Sequence, residues 1–262
     1  METSTNEQIF ITVKTYPNLS TKHVETVCTA GIRADGSWIR IYPIPYRQLK
    51  TTQRFSKYQW VEAEITRDSR DPRPESFKLL SELKPLAKID TAMNWQQRKN
   101  LLLGNVYYDL ARLIAEARDI NNFKSLAIFK PARIINFHME KDENLADLSR
   151  KRKAIKKQIG KEMADRLAEK VPYKFYYTII DENGKRSKMQ ILDWEIYQLC
   201  RKLIRKYGRK KSLIHKALRQ KYFDEFVFER DVFLFLGTNK HWHIRRSNNP
   251  FMIVGVFYPP KV

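Results

Sequence analysis

The sequence predicts an α+β fold: an antiparallel, β-rich, small barrel-like N-terminal layer with a helical insertion, then basic helices and a C-terminal β-hairpin returning to the core. Three observations carry this expectation. Strand signals dominate residues 8–68, helical periodicity interrupts them at 91–119, and after residue 144 helices return with a strong excess of Lys and Arg. Two apolar runs, 232–236 and 251–258, are too uniformly hydrophobic to leave one face in water. The expected organisation is a β-rich region with its insertion over residues 1–140 and a basic helical region with β-hairpins over 141–262, whether separate or one continuous unit.

In order, strands are expected at Ile9–Val13, His23–Ile32, Ser37–Tyr42 and Trp60–Ile65, with Ala34-Asp35-Gly36 as a hairpin turn. Pro43 and Pro45 end the third strand, and Asp71–Ser76 is a proline-stiffened loop. Two helices meet near Gly104-Asn105; the second carries Val106, Leu110, Leu113, Ile114 and Ala117 on one face. Ser125–Phe129 and Ala132–His138 return to strand chemistry.

A basic helix is expected from the Asn144 cap to Lys170, with Leu145, Leu148, Ile155, Ile159, Met163 and Leu167 on one stripe. Tyr173–Ile180, Asn183-Gly184 and Arg186–Leu192 form a hairpin with one aromatic strand face. Asp193 caps the next helix, whose apolar stripe is Ile196, Leu199, Cys200, Leu203, Ile204 and Tyr207, and Gly208 suits its C-terminal cap. Arg201, Arg205 and Arg209 form one i, i+4 row and Lys202, Lys206 and Lys210 a second. Like charges at that spacing repel, so helix stability alone does not favour the rows and an anionic partner does. A further helix runs from Ser212 to about Phe226, and residues 237–249 form a long loop between the last two strands.

The chain holds 50 Lys plus Arg against 29 Asp plus Glu, a net +21. Residues 141–262 contribute +15 of this and residues 1–140 only +6, so the charge is a localised footprint. Nucleic acid, DNA or RNA, is the preferred partner, with an acidic protein partner as an alternative. The basic helices lack the aromatic edge of an interfacial anchor and no apolar run spans a bilayer, which disfavours a membrane. Cys28 and Cys200 sit in apolar segments as buried free thiols, and the expected home is a reducing cytoplasm.

Phosphate contacts are expected from Arg150, Lys151, Arg152, Lys153, Lys156 and Lys157, from Arg201, Lys202, Arg205, Lys206, Arg209 and Lys210, and from Lys240, Arg245 and Arg246. Trp242, with His241 beside it, would meet bases or sugars. The order helix 193–207, short turn, helix 212–226, hairpin resembles a helix-turn-helix followed by a wing. The N-terminal strands equally suit an OB-like barrel binding single strands.

No phosphate-binding glycine loop, dinucleotide fingerprint, paired CxxC or zincin helix is present, and no cofactor or resident metal is expected. A metal-dependent nuclease is the enzyme alternative: Asp193, Glu195, His241 and His243 would then hold Mg²⁺ or Mn²⁺. Each has a plainer reading. Asp193 and Glu195 cap a helix and meet its dipole, and the two histidines are solvated or touch phosphate. Glu62 and Glu64 share a strand face that solvent explains, and Asp71, Arg73 and Glu75 read as a local salt-bridge turn.

Overall fold

The computed structural model describes residues 4–20, 24–119, 123–159, 167–208, 210–245 and 247–261. Strand β1 (Ser4–Lys14) is apolar at successive positions because both of its sides are buried: Ile9 and Ile11 face one cluster and Phe10 another. Beside it lie β3 (Val24–Ile32), β4 (Trp38–Ile44), β6 (Ser76–Leu79) and β5 (Gln59–Arg67), in that order. β5 then returns to pair with β1 from Ser4 opposite Thr66 to Ile11 opposite Gln59. The layer is therefore a closed five-stranded barrel, filled by Ile9, Ile11, Ile39, Ile41, Val61 and Ile65. Closure leaves these strands no open edge. β2 (Asn18–Ser20) and β7 (Lys84–Lys88) flank β3 and β5. Neither these nor β6 is foreshadowed in the sequence, since they are 3 to 5 residues long and β7 contains Pro85.

A second sheet runs in the order β10 (Arg133–Lys141), β11 (Tyr173–Ile180), β12 (Arg186–Ile191), β14 (Phe251–Phe257), β13 (Phe233–Thr238), β9 (Leu126–Phe129), β8 (Val106–Tyr107). β9 and β10, which the sequence grouped with residues 1–140, thus belong here, and Val106 lies in β8 rather than in a helix. Alternate residues go to opposite sides. Leu126, Ile128, Phe233 and Phe235 pack toward the barrel, while Ala127, Phe129, Leu234 and Leu236 pack toward the helices. Period-2 alternation with two dry faces produces the continuous apolar runs. Barrel, sheet and helices form three layers.

The helices are α1 (Ala92–Leu102), α2 (Leu110–Arg118), α3 (Leu145–Gln158), α4 (Trp194–Tyr207) and α5 (Lys211–Arg219). α5 continues through a π-helical turn, Gln220–Glu225, into α6 (Phe226–Glu229), and a short α7 (Lys240–Ile244) lies in the expected 237–249 loop. α3 stops well short of Lys170: Leu167 and Ala168 are buried outside any helix, and Met163 lies outside the described residues. Gly208 has φ 61°, as its capping position requires. Among the described residues no helix is long and apolar enough to cross a membrane.

Two comparisons drawn from the sequence change in three dimensions. The β13–β14 hairpin is buried at every residue in the interior of the sheet, so it is not a solvent-exposed wing. On the barrel, the outer face of β3 and β4 (Ala30, Ile32, Trp38) packs against Phe235 and Leu126 of the second sheet. That is the face by which an OB-like module takes single strands, and here it is covered.

Polar latches join the layers. Arg40, 2% exposed, donates to the hydroxyl of Ser125 at 2.8 Å, and that hydroxyl donates to Glu75 at 2.7 Å. Arg73 pairs with Asp71 at 2.6 Å and also donates to the Thr238 carbonyl at 2.7 Å. The local salt-bridge turn expected at Asp71–Glu75 is present, and it reaches across to β13 and to Ser125.

Candidate nucleic-acid interface

α4 begins where Asp193 accepts the Glu195 N–H at 3.2 Å, and it buries Ile196, Tyr197 and Cys200. At 100° per residue, Arg201 lies at one flank of this buried stripe and Lys206 at the other. Arg205 and Lys202 stand between them on the outward crest. Arg201 is accordingly only 11% exposed and holds Glu169 at 2.7 Å; Arg205, 64% exposed, pairs with the same carboxylate. The hydrogen bond from Arg201, reinforced by Arg205, brings the Glu169 carboxyl down to about 2.

α3 meets the same segment from the other side. Arg152 donates to the Ala168 carbonyl at 2.5 Å, and Lys170 donates to Ser149 at 2.6 Å. Ile155 is the buried anchor of α3, while Lys153, Lys156 and Lys157 are exposed and Lys151 is half-buried. Arg150 reaches Asp147 at 3.3 Å, both exposed. Among the described residues no carboxylate pairs with Lys151, Lys153, Lys156, Lys157, Lys202, Lys206 or Lys210. Two expected segments, 150–157 and 201–210, therefore flank one strip, residues 167–170. Arg152 and Arg201 are engaged in holding it.

The third segment lies elsewhere. α7 leaves the Thr238 end of the β13–β14 pair, whereas Asp193 accepts the Val256 N–H near the other end of β14. A strand of this length separates the two by roughly 15–20 Å. Lys240 donates to the Arg70 carbonyl at 2.7 Å, and His241 and Arg245 are exposed. Arg209, Arg246 and the side chains of Trp242 and His243 lie outside the described residues. His241 is thus not assembled with Asp193 and Glu195.

Those two carboxylates meet Lys57 between barrel and sheet, Asp193 buried and Glu195 exposed at the edge. Asp193, 1% exposed, takes the Lys57 ammonium at 2.9 Å and the Val256 N–H at 3.0 Å on one oxygen, and Glu195 lies 3.3 Å from the same ammonium. The Lys57 ammonium occupies the space between them that a divalent ion would need, which fits a structural ion pair. Burial pushes the Asp193 carboxyl up against the pull of Lys57. Lys57 itself loses solvation but is held protonated by the two carboxylates. Lys14 sits beside the cluster, 4.1 Å over the Tyr46 ring and 4.8 Å over Trp194; burial and the Lys57 charge lower it to about 8. Among the described residues no three His, Cys, Asp or Glu side chains gather to hold a metal ion.

A cavity of about 190 Å³ opens between the end of β1, α3, residues 168–171 and α4. Tyr16 and Tyr197 stack along it with centroids 4.7 Å apart. Glu25, 5% exposed, accepts the Ala168 N–H at 2.6 Å and pairs with Arg47 at 3.3 Å. Burial raises its carboxyl above the usual range. Sequence reasoning missed Glu25, Tyr16, Lys57 and Glu169; each is a single polar or aromatic residue whose partner lies far away in the chain.

Residues 5–104 match a family model described as "Domain of unknown function (DUF8758)", and residues 108–262 match one described as "Domain of unknown function (DUF8757)". The two matches divide the chain where the barrel and its following helix end and the second sheet begins. No curated protein matches the chain. The second match spans more than half of the residues, and the chain belongs to the family described as "Domain of unknown function (DUF8757)".

Proposed function

We propose that the protein binds nucleic acid through the outer faces of α3 and α4, which contact backbone phosphates. The observation that supports this reading is the meeting of two basic helices, distant in sequence, along the 167–170 strip, with exposed lysines on α3 and the α4 crest that no described carboxylate neutralises. Lys153, Lys156 and Lys157 with Lys202, Lys206 and the adjoining Lys210 make about six phosphate contacts available. Lys240 on α7 and Arg245 just after it, at the Thr238 end of the sheet, would extend the footprint only for a long strand. The two free cysteines accord with a reducing cytoplasm.

The test is binding of labelled duplex and single strands between 50 and 200 mM salt. Six neutralised phosphates give a log–log slope near −5 on duplex DNA and near −4 on single strands. Reversing Lys153, Lys156 and Lys157 to Glu should bring the duplex slope to about −2 to −3. A dissociation constant independent of salt, or a slope untouched by the triple reversal, would overturn the reading. Adding Mg²⁺ or Mn²⁺ to the same strands tests for cleavage, which would move the reading to a nuclease.

A further inference from the structure

We infer that the cavity between α3 and the end of β1 receives a single unstacked base from the bound strand; this rests on the phosphate-binding reading above. Three features of the cavity point to such a ligand. Its volume, about 190 Å³, lies below the roughly 300–1,000 Å³ of pockets for drug-sized molecules, which leaves room for one ring system. Its walls carry Tyr16, Tyr173 and Tyr197, and flat aromatic walls favour a flat aromatic guest. Its polar wall offers the Gln190 amide, a group of the kind that reads a base edge, beside the Glu25 carboxylate, whose oxygens are held by the Ala168 N–H and Arg47.

Charge narrows the choice further. The cations on the wall are already engaged: Arg152 with the Ala168 carbonyl, Lys170 with Ser149, Lys174 with Asp142 at 3.0 Å. Glu25, Asp142 and Glu169 are engaged in turn, with Arg47, Lys174 and the Arg201–Arg205 pair, so a charged guest would have to displace a partner already in place. A neutral heterocycle can use the aromatic wall without breaking any of these pairs. The position supplies the link to a strand, because Glu169 and Lys170 belong both to the cavity wall and to the strip on which α3 and α4 converge, and Arg152 holds that strip from α3. Phosphates held on those helices would carry an adjoining nucleotide past the opening, and a base already unpaired would cost least to turn inward.

The experiment compares three duplexes of one sequence with the full-length protein: fully paired, with one extrahelical 2-aminopurine, and with an abasic residue at that position. Stacking and edge contacts should make the duplex with the extrahelical base bind about tenfold tighter than the abasic one, with a change in 2-aminopurine emission on binding. Leu148→Trp, which fills the cavity from α3, should bring that ratio to about one. Because Leu148→Trp could disturb folding, its urea midpoint is measured beside the wild type, and the wild-type ratio stands as a test without it. Equal wild-type affinity for base-bearing and abasic duplexes, with the salt dependence intact, would overturn the base site and leave phosphate binding standing. Loss of salt-dependent binding to all three duplexes would remove both.

Discussion

Replacing Lys57 by Met tests the joint between the barrel and the second sheet. Lys57 and Asp193 have side chains 5% and 1% exposed with 2.9 Å between charged atoms. At an effective dielectric of about 20 their attraction is roughly 6 kcal/mol, most of which offsets the cost of removing both charges from water. Lys57→Met leaves Asp193 buried with Glu195 as its nearest charged neighbour, and losing one partner of a buried pair costs about 3–5 kcal/mol. Against a total stability of about 5–15 kcal/mol this is a large share, and the urea midpoint should fall accordingly. Asp193→Asn removes the charge and keeps one acceptor oxygen, which serves either the Glu195 or the Val256 N–H, since Asp193 accepts them on different oxygens. Combined with Lys57→Met, it should recover about 2 kcal/mol or more relative to the sum of the single changes. The sign with pH follows from the shift. Without Lys57 the Asp193 carboxyl, already pushed up by burial, rises further, so the folded variant binds a proton that the unfolded chain does not. Its deficit should therefore shrink as pH falls from 7 to 5. A coupling under about 0.5 kcal/mol, or a deficit that grows on acidification, would refute the reasoning.

Arg73→Met should cost about 3–5 kcal/mol in urea unfolding, because it strands buried Asp71 and frees the Thr238 carbonyl. Burial raises Asp71, but the Arg73 bonds outweigh it and hold the carboxyl at about 2; wild-type stability from this group should fade between pH 4 and 2, a fade Arg73→Met should lack. Lys14 has the same sense in a higher window: burial lowers it to about 8, so from pH 8 to 10 the unfolded chain keeps a proton that the folded one has released. Wild type should gain about 2–3 kcal/mol over Lys14→Met across that range, and parallel pH curves would contradict it. Gly31→Ala should unfold at clearly lower urea, since its Cβ would stand 2.3 Å from the Phe10 carbonyl oxygen, and that backbone cannot step aside without breaking the β1–β3 ladder. An alanine variant as stable as wild type would show that the barrel wall yields more easily than its packing implies.

Much of this architecture is legible in short stretches of sequence. Asp193 and Gly208 bracket α4, Asn183-Gly184 lies in the turn between β11 and β12, and the runs at 232–236 and 251–258 announce strands dry on both faces; cap, turn and periodicity each act over a few residues. The α+β class and the excess of charge in the second half follow from such local signals. The fold alone decided that β5 turns back to close on β1, that β9 and β10 join the second sheet, and that the β3–β4 face is covered. It also turned Arg201 inward onto Glu169, set Lys57 between Asp193 and Glu195, and separated α7 from both. A lysine or arginine carries the same charge in every context. Whether it meets a carboxylate, a carbonyl or water depends on faces brought together from a hundred residues away, and only the packed layers set that distance.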